Sequence, residues 1–146
     1  IGPVLAVNGA AALTATGLPA PALLGALLSM SAVFDIVIGS ASAKWSAMAP
    51  IVTPMMMMVG VSPEMTTAAY RMGDSIFNII TPAASNFVLA LSMAQRWSKD
   101  FGIGSLIALM LPFSICFGLF GFCLVIGWTA LALPVGPGAP ATWPAL

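Results

Sequence analysis

The sequence predicts an all-α polytopic membrane protein, built from a re-entrant helical hairpin and a discontinuous transmembrane helix. Three observations predict it. Of 146 residues, 60% are hydrophobic and 5% are charged, where a soluble domain has roughly a quarter charged. Eight charged side chains (four Lys or Arg, four Asp or Glu) cannot cover a surface facing water, so lipid or other protein must surround most of it. Residues 103–133 carry no charge at all, more than the ~20 apolar residues a membrane span needs. Two other apolar stretches are interrupted in their middles, one by tiny residues at 39–43 and one by proline at 82.

The elements follow in order. Residues 1–18 are apolar and rich in small side chains, and read as a partial helix ending near Gly17. Ile1 is not an initiator and no basic segment precedes an apolar core, so the chain reads as a piece that starts inside a membrane-embedded segment. Pro19 and Pro21 mark a helix start. The run 22–38 would reach only about 25 Å as a helix, short of a hydrocarbon core of about 30 Å. It meets the tip 39–43 and a second run containing Pro50 and Pro54, so 22–61 reads as a re-entrant hairpin. Irregular backbone at membrane depth is tolerated only against protein or a water-filled cavity. Ser62-Pro63-Glu64 supplies an N-cap, a first-turn proline and a first-turn acid. The helix it starts is broken at Ile79-Ile80-Thr81-Pro82 and resumes, so 63–97 reads as one broken span. Residues 103–133 form the last transmembrane helix, kinked at Pro112, and 134–146 form a non-helical tail. Arg96 and Lys99 place their loop on the cytoplasmic side.

Composition excludes several functions. Zero formal net charge gives no electrostatic case for nucleic acid. With no His and two Cys, neither a zinc site nor a haem is expected, and no cofactor is implied. Cys116 and Cys123 are seven apart in an apolar run and read as small hydrophobes. The same poverty of His and carboxylates argues against an intramembrane enzyme. Met55 to Met58 read as packing residues.

The polar residues are more informative. Thr67, Arg71, Asp74 and Asn78 are spaced 4, 3 and 4, which puts them on one helix face. Ionised groups at mid-membrane cost a few kcal/mol each even on gentle scales, so an Arg71–Asp74 pair at i, i+3 is expected. The helix break frees carbonyls that suit Na⁺ and a helix N-terminus that suits carboxylates. The tip residues Ser40 and Ser42 are expected to face Asn78 and Thr81. Lys44 reads either as a snorkelling cation or as part of the tip, and Trp45 either as an interfacial residue or as a stacking platform. Asp35 reads as an ion ligand, a proton carrier or a solvated residue.

These residues carry a resemblance. G-S-A-S-A-K-W at 39–45 with A-P at 49–50, S-P-E-M-T-T-A-A-Y-R-M-G-D-S-I-F-N-I-I-T-P at 62–82, G-I-G-S-L-I-A-L-M-L-P-F-S at 102–114 and G-P-G-A-P at 136–140 resemble the AbgT family of p-aminobenzoyl-glutamate transporters. The resemblance implies a homodimeric, multi-pass bacterial inner-membrane protein of the ion-transporter superfamily, of which this is about the last third. It implies import of p-aminobenzoyl-glutamate or export of sulfonamide-type antimetabolites, driven by Na⁺ or H⁺. The positions that match the family's functional residues are Ser42, Trp45, Pro63, Arg71, Asp74 and Pro82, expected at the substrate. Gly39 and Asp74 match positions near a Na⁺ site, to which the tip and break add Ser40 and Asn78. The alternative is a Na⁺-coupled dicarboxylate carrier of the same superfamily. An aromatic at position 45 argues against it, because a small dicarboxylate offers no ring to stack on.

Overall fold

Capping chemistry written into the sequence sets the helix ends. The computed structural model describes residues 2–144, and among them contains six helices: α1 (Gly2–Ala15), α2 (Ala20–Val37), α3 (Ala41–Met58), α4 (Pro63–Asn78), α5 (Ser85–Trp97) and α6 (Ile103–Ala130). Gly17, at φ +63°, closes α1 in the left-handed region that glycine enters freely. The Ser62 hydroxyl accepts from the Met65 amide at 3.1 Å, with Pro63 in the first turn, as the Ser-Pro-Glu signal requires. The α6 helix stops at Ala130 rather than at residue 133, because a Schellman turn intervenes. Ala132 takes φ +51°, its amide donates to Thr129 and the Leu133 amide donates to Trp128. Pro134 follows and prevents continuation.

The core lies between α2 and α4, with α6 packed on both and α3 on the N-terminal part of the chain and on α4. Leu24, Leu28, Met56, Met65 and Ala69 are buried there. α2 and α4 approach closely because residue 73 is glycine: a Cβ at this position would collide with the Leu28 carbonyl oxygen and lie 2.9 Å from the Ser31 Cβ. Two serines fasten the contact by donating to neighbouring main chain. Ser31 Oγ bonds the Tyr70 carbonyl at 2.9 Å, and Ser114 Oγ from α6 bonds the Ile76 carbonyl at 2.5 Å. Small residues at the interface with short polar links suit helices packed in lipid, where apolar burial gains little.

The outer face of α6 exposes Leu109, Phe113, Phe117, Leu119 and Phe120. At 28 residues it is long and apolar enough to cross a membrane, and α2 meets the same criterion. Cys116 and Cys123 are free thiols on this helix's exposed surface. The tail is tied down without being helical. The Trp143 amide donates to Gly60 and the Ser62 amide to Ala141, holding it across the turn between α3 and α4.

The first break falls at residues 38–40, between α2 and α3. Most of the packing of α2 is against α4 and α6, and most of that of α3 is against α1 and α4. The two also meet: Leu23, Ala26, Leu27 and Met30 of α2 share a cavity with Met55 and Met56 of α3, and Asp35 pairs with Lys44 beside the break. A second break separates α4, ending at Asn78, from α5, beginning at Ser85.

Gly73→Ala in the full-length protein is expected to destabilise the fold by about 1–3 kcal/mol through overpacking. Gly127→Ala, whose Cβ would meet nothing within 4 Å, is expected to be neutral. Thermal unfolding in detergent distinguishes the two.

Candidate ion and substrate site

The two breaks meet. A Cβ on Gly39 would lie 2.7 Å from the carbonyl carbon of Ala83 and 3.0 Å from the Ala84 nitrogen, so backbone rests on backbone. Only glycine allows that approach. Beside the contact is a cavity of ≈ 400 Å³ lined by Gly39, Ser40, Ser42, Asn78, Ser85 and Asn86 among others. A second cavity of ≈ 340 Å³, lined by Ser75 and the apolar Phe87 and Leu106, shares Asn78 and Asn86 with it. The first cavity thus sits where α2 and α4 end and where α3 and α5 begin. Helix ends carry partial charges of about −0.5 at the C-terminus and +0.5 at the N-terminus. Four of them around one space can receive both a cation and an anion.

Directly behind that space is a buried charge cluster. The Lys44 ammonium donates to Asp35 Oδ1 at 2.5 Å. Its Nζ also lies 2.5 Å from Asp74 Oδ1, a second buried ion pair. The three residues are 1%, 2% and 5% exposed for Asp35, Lys44 and Asp74. Each stands four residues from the cavity wall: Asp35 from Gly39, Lys44 from Ser40 and Asp74 from Asn78. One helical turn is about 5.4 Å. Two carboxylates face one ammonium, which leaves a formal charge of −1. Asp35 Oδ2 is buried without a hydrogen-bond donor.

The expected site residues divide. Gly39, Ser40, Ser42 and Asn78 come together at the cavity. Thr81 is buried instead, bonding the Phe77 carbonyl at 2.8 Å and shaping the break, and Pro82 is exposed in the same turn. Trp45 stacks on Tyr70, with ring centroids 4.5 Å apart and planes at 33°, and the Tyr70 hydroxyl donates to the Ala41 carbonyl. Pro63 opens α4 at its far end.

The Arg71–Asp74 pair is not formed. Asp74 turns inward to Lys44, whereas Arg71 is exposed and, among the described residues, has no acidic partner. A spacing of three residues rotates a side chain by about 60° around the helix, enough to send one charge into the core and leave the other outside. Nor does Lys44 snorkel, since it is almost fully buried. Asp35 and Lys44 had a shared signal in the sequence. Opposite charges in the apolar flanks of one break have no solvent to turn to, so each is the other's natural partner.

Two helix breaks that meet beside polar groups, inside an apolar bundle, are the arrangement of a membrane transporter. The particular family follows from comparison. Residues 1–143 match the AbgT putative transporter family, and the chain belongs to it. It is 32% identical over 139 residues to the p-aminobenzoyl-glutamate transport protein of Escherichia coli K12, covering 94% of this chain and 27% of that protein. The crystal structure of the Alcanivorax borkumensis YdaH transporter superimposes with a TM-score of 0.90 at 48% identity, over 93% of this chain and 29% of that one. Neisseria gonorrhoeae MtrF, described among antimetabolite efflux pumps, gives 0.81 at 45% identity, over 95% of this chain and 28% of that one. The chain therefore spans between a quarter and a third of the length of these relatives.

Gly39→Ala in the full-length transporter is expected to push the two breaks apart and cut substrate flux by roughly tenfold, the low end of an overpacking cost. Gly104→Ala, with open space at its Cβ, is expected to leave flux unchanged in vesicles.

Proposed function

We propose that the whole protein is an ion-coupled secondary active transporter. It moves p-aminobenzoyl-glutamate or exports sulfonamide-type antimetabolites across the bacterial inner membrane as a multi-pass homodimer. The observation that supports this most is the meeting of two helix breaks around one polar cavity in an otherwise apolar bundle. Irregular backbone at membrane depth needs a polar occupant or water to satisfy it. The activities for which these relatives are named, p-aminobenzoyl-glutamate transport and antimetabolite efflux, support an aromatic cargo.

In this reading Ser40, Ser42, Asn78 and Asn86 hydrogen-bond the cargo's amide or sulfonyl group. The N-terminal ends of α3 and α5 favour its negative end. Arg71 lies one helical turn before Ser75, on the face that reaches the second cavity, and clamps a carboxylate with its planar fork. Trp45 is half-buried with one flank against Tyr70, and offers the cargo ring its remaining surface. Asp74, buried at the level below Asn78, senses the coupling ion. The two broken elements move as a unit because their backbones touch at Gly39 and Ala83, which suits an elevator-like or rocking exchange of access. A dicarboxylate carrier is the less supported alternative, since succinate would leave the aromatic platform unused.

The test is uptake into vesicles holding the full-length protein, under an imposed Na⁺ or pH gradient, with p-aminobenzoyl-glutamate and succinate as rival cargoes. Saturable, gradient-driven flux of the aromatic compound and none of succinate is expected; the reverse would overturn the assignment. Arg71→Ala should weaken cargo binding by about 1.5–3 kcal/mol, the worth of a charged hydrogen bond. Asp74→Asn should abolish gradient-driven flux.

A further inference from the structure

We propose that Tyr70 is a positioning residue for the cargo ring: its phenol ring and its hydroxyl together hold the Trp45 indole, and the turn that carries it, in one orientation. The proposal rests on the transporter reading above and deepens it, because it names what makes Trp45 a fixed platform. The two rings stack with centroids 4.5 Å apart and planes at 33°, and Tyr70 is fully buried while Trp45 is half-buried. One flank of the indole is therefore covered by protein and part of the rest is left open. The Tyr70 hydroxyl donates to the Ala41 carbonyl at 2.8 Å. In an α-helix that carbonyl is also the acceptor for the amide four residues on, which here is that of Trp45. Ring and hydroxyl thus grip one turn, 41–45, at its two ends.

Three observations favour this over plain core packing. The grip falls on the cavity wall, since Ala41 and Ser42 line the ≈ 400 Å³ space together with Gly39 and Ser40. That turn is weakly held by its own cap: the Ala43 amide lies 3.4 Å from Ser40 Oγ, beyond the usual hydrogen-bond range, and no acid stands in the first turn of α3. Tyr70 itself stands on a firm base. Ser31 Oγ donates to its carbonyl at 2.9 Å, Ser31 and Ala69 are fully buried, and Gly73 keeps α4 tight against α2. An indole packed on one flank has its two side-chain torsions restrained before cargo arrives, so little ordering cost remains to be met on binding. A cargo with a ring gains from that, and a cargo without one does not. The Lys44 ion pairs fasten the same turn to α2 and α4, so loss of the Tyr70 hydroxyl should free the indole without unfolding α3.

The test uses the full-length transporter labelled with fluorotryptophan, in detergent, with the Trp45 fluorine resonance assigned through Trp45→Phe. That line should be single and narrow in the wild type, shifted in Tyr70→Phe and broadened or split in Tyr70→Leu. The same variants are assayed for p-aminobenzoyl-glutamate uptake into vesicles. Tyr70→Phe should raise KM about fivefold with kcat unchanged, the worth of one neutral hydrogen bond. Tyr70→Leu, which also loses the stack, should raise KM by tenfold or more, roughly. In a Trp45→Leu background neither Tyr70 change should alter KM further, as expected of two residues that act through one contact. A Trp45 line unchanged in every Tyr70 variant that folds, or KM effects that add to those of Trp45→Leu, would overturn the proposal. So would failure of Tyr70→Phe to fold, which would make the tyrosine a structural residue only. If Tyr70→Leu alone does not fold, Tyr70→Phe and its Trp45→Leu double variant decide. Absence of wild-type flux instead sinks the transporter reading, while the fluorine line still reports whether Tyr70 sets the indole.

Discussion

Three charges with no access to bulk water hold the centre of this molecule. Each is poorly placed on its own helix. Asp35 is in the last turn of α2 and Asp74 near the end of α4, where the helix dipole is negative, and Lys44 is in the first turn of α3, where it is positive. Each of those mismatches costs about 0.3–1 kcal/mol, and burial adds several kcal/mol per ion. Their mutual attraction, on the order of 4 kcal/mol per pair at 4 Å in a moderately polar medium, is what offsets these costs. The three helices can keep their ends where they are only while the charges stay together, and so α2, α3 and α4 are locked at the breaks.

That constraint explains features that would otherwise be unrelated. Gly73 brings α2 against α4 closely enough for Asp35 and Asp74 to share one ammonium, and Gly39 lets the first break rest on the second. Ser31 and Ser114 bind main chain across the same interfaces and fix the rotation of α4. The polar cavity lies one turn from the charges. A change in what the charges hold therefore acts directly on its walls. Coupling between ion and cargo then needs no long path, only this single turn of helix.

Much of the architecture was legible because it is local. Caps, prolines and runs of apolar residues specify where helices begin and end, and Ser62-Pro63-Glu64 and Thr81-Pro82 did so. The helices that α2 and α3 pack on most, α4 for one and α1 for the other, were not legible, since a break written in Gly39 and Ser40 says nothing of what lies beside each half. The cavity residues Ser40, Ser42 and Asn78 could be named from the two interruptions, but Ser85 and Asn86 could not, because nothing local distinguishes them from any helix start. The Arg71–Asp74 pairing failed for a related reason. Spacing of three residues permits contact on a lone helix, yet a buried partner on another helix outcompetes an exposed neighbour on the same one. Asp35 and Lys44 were each visible as charges in apolar surroundings, and only the tertiary fold brings both to Asp74.

The most direct measure of the shared charge cluster is a stability comparison on the full-length protein in detergent. Lys44→Met leaves two buried carboxylates facing each other and should lower stability by about 3–5 kcal/mol. Adding Asp35→Asn and Asp74→Asn to it removes the charges and should restore most of that loss. If Lys44→Met were as stable as the wild type, or if the triple variant were no better than the single one, the three charges would not be what holds the two breaks together.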